Sequence, residues 1–190
     1  MNSPIAHTPI QRRLALAAGA AGTAALLATL SGCATQQIAD YANEKPALDL
    51  RSYFNGMLDA YGVFTDRSGK VVKRFTVVMN CTWQGESGVL DEDFSYSDGT
   101  TQKRVWRLTR QADGSYTGRA DDVVGVAQGK SRGNAFHWAY TLSLPVDGKV
   151  HEVQFDDWMY LVNDKVMLNK AAMSKYGIRL GEVTLSFTKR

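Results

Sequence analysis

The sequence predicts an all-β domain: an antiparallel, up-and-down, lipocalin-like (calycin-type) barrel with a short helical turn near the C-terminus. Three observations carry this. From Leu48 onward, apolar and polar residues alternate mostly with a period of two, the pattern of half-buried strands. The alternating runs are separated by turn pairs, Ser68-Gly69, Asp98-Gly99, Asp113-Gly114 and Asp147-Gly148, and Asp-Gly between such runs is the strongest short-range hairpin signal. The runs are numerous enough, about eight, for closure to remove the exposed edges of a meander. A two-sheet sandwich satisfies the same pattern and stays open as the alternative.

The chain begins with a segment that does not belong to this domain. Arg12 and Arg13 precede an apolar run, Leu14 to Leu30, rich in Ala and Leu, which ends in Leu30-Ser31-Gly32-Cys33. A basic region, an apolar region and small residues in that order form a secretory signal peptide. The final Cys makes residues 1–32 a lipoprotein leader, with Cys33 the expected lipid attachment site after cleavage. The competing reading is a transmembrane anchor. The run is about 17 residues against the roughly 20 a span needs, and it is mostly Ala and Gly. One acyl chain holds a protein to a bilayer only reversibly, whereas several on one Cys make the anchor stable. Ala34, not Asp, follows Cys33, which favours the periplasmic face of the outer membrane.

Residues 33–46 form the lipidated Cys and a tether. After Cys33 they are polar, lack a long apolar period and end in Pro46. Residues 47–190 form the domain, long enough for one real core. Arg12 and Arg13 are the only charged side chains before Cys33, so cleavage lowers the net charge from +3 to +1. No Lys/Arg cluster stands out, so nucleic acid is not an expected partner. With Cys33 lipidated, Cys81 has no disulfide partner within the chain; it sits in an apolar stretch as a small buried hydrophobe.

Strands are expected near 59–66, 70–83, 88–97, 102–111, 115–121, 134–146, 149–163 and 180–188, with the helical turn near Lys170–Tyr176. Parity assigns faces. In 134–146 the large apolar set, Phe136, Trp138, Tyr140, Leu142 and Leu144, faces inward, and His137, Ala139, Thr141 and Ser143 face outward. A two-residue turn at Asp147-Gly148 pairs Leu144 with His151, Leu142 with Val153, Tyr140 with Phe155, Trp138 with Asp157 and Phe136 with Met159. Asp157 is thereby carried inward. A three-residue loop from Asp98 to Thr100 pairs Tyr96 with Gln102, Phe94 with Arg104, Glu92 with Trp106 and Leu90 with Leu108, which brings Glu92 and Arg104 inward as diagonal neighbours. At Asp113-Gly114 the register is open by one residue. A three-residue loop selects Asp122 over Asp121 for the face of Arg104, with Tyr116, Gly118 and Ala120 inside.

The expected interior is therefore aromatic, with Trp106, Trp138 and Tyr140 around a polar group of Glu92, Arg104, Asp122 and Asp157. Buried charges must be paired or solvated. They form either an internal ion-pair network or the polar anchor of a ligand in an apolar cavity, where Arg104 would hold a carboxylate or phosphate through paired N–H donors.

Other chemistry is missing from the sequence. His137 has outward parity, His151 sits near a rim, and neither has metal ligands at suitable spacing. The adjacent acids Asp121-Asp122 and Asp156-Asp157 point to opposite faces of their strands. There is no Gly-x-Ser-x-Gly nucleophile elbow and no Gly-rich phosphate loop. No catalytic residues, metal or cofactor are assigned. A Glu92–Asp157 pair could do acid–base work only at a separation that sequence does not supply.

Six phrases complete the picture: Leu90-Asp91-Glu92-Asp93-Phe94, Arg104-Val105-Trp106, Ala120-Asp121-Asp122-Val123-Val124-Gly125, Gly133-Asn134-Ala135, Phe155-Asp156-Asp157-Trp158-Met159 and Met173-Ser174-Lys175-Tyr176-Gly177. In this order they resemble a family of proteobacterial lipoproteins catalogued as domain of unknown function 3833, over about residues 50 to 189. The resemblance implies class and location and carries no reaction and no catalytic residues. The leading expectation is non-catalytic binding of an apolar or amphipathic small molecule, a lipid or fatty acyl chain, by a membrane-anchored barrel. A structural or interaction protein with a filled barrel comes second, and an enzyme acting on a lipid-like substrate third.

Overall fold

The computed structural model of the chain describes residues 35–146 and 148–190. The expected leader, Cys33 and Asp147 lie outside the described residues. Ten antiparallel strands form a closed barrel: β1 (Gly56–Asp66), β2 (Val71–Gln84), β3 (Ser87–Tyr96), β4 (Thr101–Arg110), β5 (Tyr116–Arg119), β6 (Ala127–Arg132), β7 (Ala135–Val146), β8 (Lys149–Leu161), β9 (Val166–Lys175) and β10 (Ile178–Lys189). Each strand pairs with the next, and β1 pairs with β10, so among the described residues no edge is left open. The sandwich alternative is thereby excluded.

Alternation drives the burial. In β2, Phe75, Val77, Met79 and Cys81 are buried while Thr76, Val78, Asn80 and Thr82 are exposed. The outer wall is charged, with Lys103, Arg107, Glu152 and Asp156 exposed. A barrel spanning a membrane by its strands would carry the opposite pattern, apolar outside and polar within.

Two strands differ from the sequence expectation. The helical turn near Lys170–Tyr176 is instead the end of β9 and its turn, with Tyr176 at φ 52. Ala, Lys, Met and Leu are good helix formers, but the hydrogen bonds offered by β8 and β10 override that preference. In β9, Met167, Asn169 and Ala171 are buried, while Leu168 and Lys170 are exposed. The second, β6, gave no apolar signal because its inward residues are Ala127 and Gly129. They are small for a reason. A Cβ at Gly129 would lie 2.3 Å from the Trp138 ring, and one at Gly118 of β5 would lie 2.7 Å from it. The indole lies against bare backbone on two strands.

One end of the barrel is plugged. The helix α1 (Leu50–Tyr53) is capped by Asp49, whose carboxylate accepts from the N–H groups of Arg51 and Ser52. Leu50 and Phe54 are each only 2 % exposed. The Tyr53 hydroxyl lies within hydrogen-bonding distance of the Lys165 and Phe187 carbonyls, at 3.0 and 3.1 Å, and Trp83 Nε1 donates to the Phe54 carbonyl at 2.8 Å. At the other end Phe64, Tyr96, Leu144, Met173 and Leu185 are only partly buried, which marks the mouth.

Part of the segment expected to be a tether is docked on the barrel. Ile38–Tyr41 forms a 3-10 turn, and the Tyr41 ring packs against Trp158 and Tyr160 on the outer wall, with centroids 5.9 and 5.4 Å away. Farther on, the Leu48 N–H donates to the Gly133 carbonyl.

Candidate functional site: the barrel cavity

The register of each hairpin decides which polar side chains reach the interior. The β7–β8 pairing places Trp138 opposite Asp157, Tyr140 opposite Phe155 and Leu142 opposite Val153, as the two-residue turn predicts. The β4–β5 pairing sets Leu108 opposite Gly118 and Arg110 opposite Tyr116, which selects the three-residue loop. The β3–β4 pairing is shifted by two residues from the expectation. Glu92 faces Arg104 directly, Leu90 faces Trp106, Phe94 faces Gln102 and Gly88 faces Leu108. The loop runs from Ser97 to Gly99, closed by Tyr96 N–H to Thr100 C=O, and Gly99 takes the left-handed position at φ 83. A shift of two keeps every face assignment, so the inward set survives while its pairing changes from diagonal to direct.

A cavity of about 220 Å³ lies within the barrel. Leu50 and Phe54 of the plug reach it, as do Trp106, Trp138, Tyr140 and Phe155 from the wall. Edge-to-face contacts of 5.6 and 5.4 Å lock Trp106 against Trp138 and Tyr140, and Tyr140 stacks on Phe155 at 5.0 Å. Into this apolar space project Glu92, Gln102, Arg104, Asp157 and Asn169.

Asp122 differs from the other expected residues. It lies in the loop after β5, not on a strand, and it does not line the cavity. β5 and β6 are the shortest strands, and residues 120–126 run beside β7 above them, through Val124 N–H to Thr141 C=O and Ser143 N–H to Asp122 C=O. Asp122 reaches the site through Arg104. Arg104 Nε donates to Asp122 Oδ2 at 2.9 Å and Nη2 to the same oxygen at 2.7 Å, with Oδ1 3.2 Å from Nε. The Arg104 fork is thus committed to Asp122. Burial opposes its charge, but Glu92 and Asp122 outweigh that and hold it further above its usual range.

The two cavity acids have unequal surroundings. Asp157, 5 % exposed, accepts from the Tyr140 hydroxyl at 3.3 Å and from Asn169 Nδ2. Burial still pushes it up to about 7, although the two hydrogen bonds pull the other way. Glu92, 8 % exposed, has no hydrogen bond and no ion pair among the described residues. Burial pushes it up to about 7 against the pull of Arg104. Parity did not reveal Asn169, because the β9 strand that carries it was not recognised. Cys81 is fully buried, and burial pushes its thiol up to about 12, so it is no nucleophile. His137 is on the outer wall, stacked on Trp158 at 4.4 Å and paired with Asp156 at 2.5 Å.

Comparison with known proteins gives the fold and the family. An S-type phycobiliprotein lyase from Guillardia theta superposes with a TM-score of 0.55 at 7 % identity, covering 82 % of this chain and 98 % of that one. A de novo designed fluorescence-activating β-barrel gives 0.42 at 11 % identity, covering 75 % and 99 %. A protein of unknown function from Nostoc punctiforme, of family DUF3598, gives 0.49 at 12 % identity, covering 83 % and 53 %. No curated protein matches the sequence significantly. The family model described as protein of unknown function (DUF3833) matches residues 27–189, and the chain belongs to that family.

Proposed function

We propose that this chain is a lipoprotein, held through lipid on Cys33 at the periplasmic face of the outer membrane, whose barrel binds a small apolar or amphipathic molecule. The observation that carries the binding reading is the cavity itself. It has aromatic walls, one plugged end, one mouth and a few convergent polar groups, the make-up of a small-molecule site. At about 220 Å³ it is smaller than the roughly 300–1,000 Å³ of most such sites. It suits a short chain, or the end of a longer acyl or alkyl tail whose remainder leaves through the mouth. The anchoring reading rests on the Arg12-Arg13 leader and Leu30-Ser31-Gly32-Cys33.

The small volume also favours a second reading, a filled barrel with a structural or interaction role in the envelope. Uptake of a neutral fluorescent probe, N-phenyl-1-naphthylamine, separates the two. The binding reading expects saturable uptake that is lost in Ala171→Phe, which places a ring in the cavity beside Asp157. Unsaturable uptake, or uptake equal in the variant, supports the filled barrel.

A further inference from the structure

We infer that the cavity selects a cationic amphiphile, an apolar body or single alkyl chain bearing an ammonium head that pairs with the Glu92 carboxylate. This rests on the binding reading above and assigns its ligand class.

Three features of the site point the same way. Glu92 lines the cavity, is 8 % exposed, and has neither hydrogen bond nor ion pair among the described residues. The Glu92 carboxyl opens onto the cavity, where an arriving donor would pair with it. Secondly, the cation that faces Glu92 across the β3–β4 ladder is spoken for. Arg104 aims Nε and Nη2 at Asp122, so it is not free to receive an anionic head, as the sequence alone suggested. Thirdly, the charges are unbalanced. Arg104 stands against three acids, Glu92 and Asp157 on the cavity wall and Asp122 behind it. A carboxylate or phosphate head would add a further anion, whereas an ammonium adds a cation to a group in which acids outnumber bases. The Trp106 and Tyr140 rings beside them add a surface that favours a cation. Burial raises both cavity acids, so a cation arriving in the cavity would favour their charged forms.

The test uses the full chain in a mild non-ionic detergent with N-phenyl-1-naphthylamine bound. Octylamine, octan-1-ol and octanoate compete at about pH 8, where both acids are largely ionised. The eight-carbon length suits a cavity that holds the volume of about seven waters. Octylamine is expected to displace the probe about thirtyfold more effectively than octanoate, the scale of a buried charge pair. Glu92→Gln should remove that preference, read as the ratio of octylamine to octan-1-ol competition within the variant. Glu92→Asp should keep part of it, which guards against a merely misfolded variant. Equal or better competition by octanoate, or octylamine binding unchanged in Glu92→Gln, overturns the cationic assignment while probe binding keeps the cavity reading intact. A wild-type protein that takes up neither the probe nor octan-1-ol overturns the binding reading itself.

Discussion

Arg104 and Asp122 meet side by side near the mouth of the barrel, with Nη2 and Oδ2 2.7 Å apart and side chains only 14 % and 23 % exposed. This contact ties the loop of residues 120–126 to β4, where β5 and β6 are too short to complete the upper wall. It also leaves Glu92 facing Arg104 across the β3–β4 ladder without a hydrogen bond among the described residues.

Arg104→Met therefore strands Asp122 as well as Glu92. The expected loss is about 3 kcal/mol, a fall in Tm of about 6–12 °C. Because Asp122 is the hydrogen-bonded partner, adding Asp122→Asn should recover more of it than adding Glu92→Gln. A thermal double-mutant cycle checks this, and equal recovery from the two would contradict the pairing.

The two cavity acids set a pH dependence. Glu92 rises from 4.5 to about 7 and Asp157 from 3.8 to about 7, chiefly through burial. The folded protein without ligand thus holds protons that the unfolded chain releases. The resulting stability is fully present below the unfolded values and is lost as pH rises through about 7. Surface acids act oppositely. Asp59, Asp66, Asp98 and Asp113 are held low by hydrogen bonds from Arg190, Ser68, Lys73 and Ser115, and their contribution is lost as pH falls through their lowered values. Stability should peak near about pH 5, and the decline above it should flatten in a Glu92→Gln, Asp157→Asn protein. Urea melts across pH that rise steadily to about pH 8 would contradict this.

The β3–β4 register has a direct chemical check. Ser95 faces Thr101 on the outer wall. Cysteines at 95 and 101 should cross-link readily, because facing Cβ atoms lie about 4.5–5.5 Å apart, close to disulfide range. Cysteines at 95 and 103 should not. The reverse result would restore the register expected from a loop of Asp98 to Thr100.

Gly133 holds the N-terminal strap. It sits at φ 51, and a Cβ there would fall 1.8 Å from the Tyr41 carbonyl oxygen. Gly133→Ala should cost about 1–3 kcal/mol and raise amide exchange across Ile38–Leu48. The same exchange in wild type and variant would show that the strap does not depend on this contact.

The anchor is tested at Cys33. Cys33→Ala should leave the precursor uncleaved by the lipoprotein peptidase and without palmitate label. Label that persists would remove the lipobox reading.

Much of this structure was legible in the sequence, for reasons particular residues make plain. Period-two burial and two-residue turns fixed the β7–β8 register to the residue, because large apolar side chains occupy every inward site from Phe136 to Leu144. β6 was illegible because its inward residues are small, and the cause is Trp138, on another strand. β9 was hidden by residues that favour helix. Among the site residues, parity found Glu92, Arg104 and Asp157, since a shift of two does not change a face. It could not find the direction of the Arg104 fork. That depends on where residues 120–126 lie after the short β5, a tertiary relationship with no local signal. The proposal that Glu92, and not Arg104, pairs with a ligand's head rests on that relationship.

The central claim, a barrel that holds a small ligand, is tested most directly by native mass spectrometry of the full chain extracted from membranes in mild detergent. The account predicts a non-covalent adduct on the wild-type protein, released on unfolding, absent from Ala171→Phe, and of a mass that fits an amine-bearing amphiphile. A wild-type protein at its covalent mass alone, together with no uptake of N-phenyl-1-naphthylamine, would contradict it and leave a filled barrel.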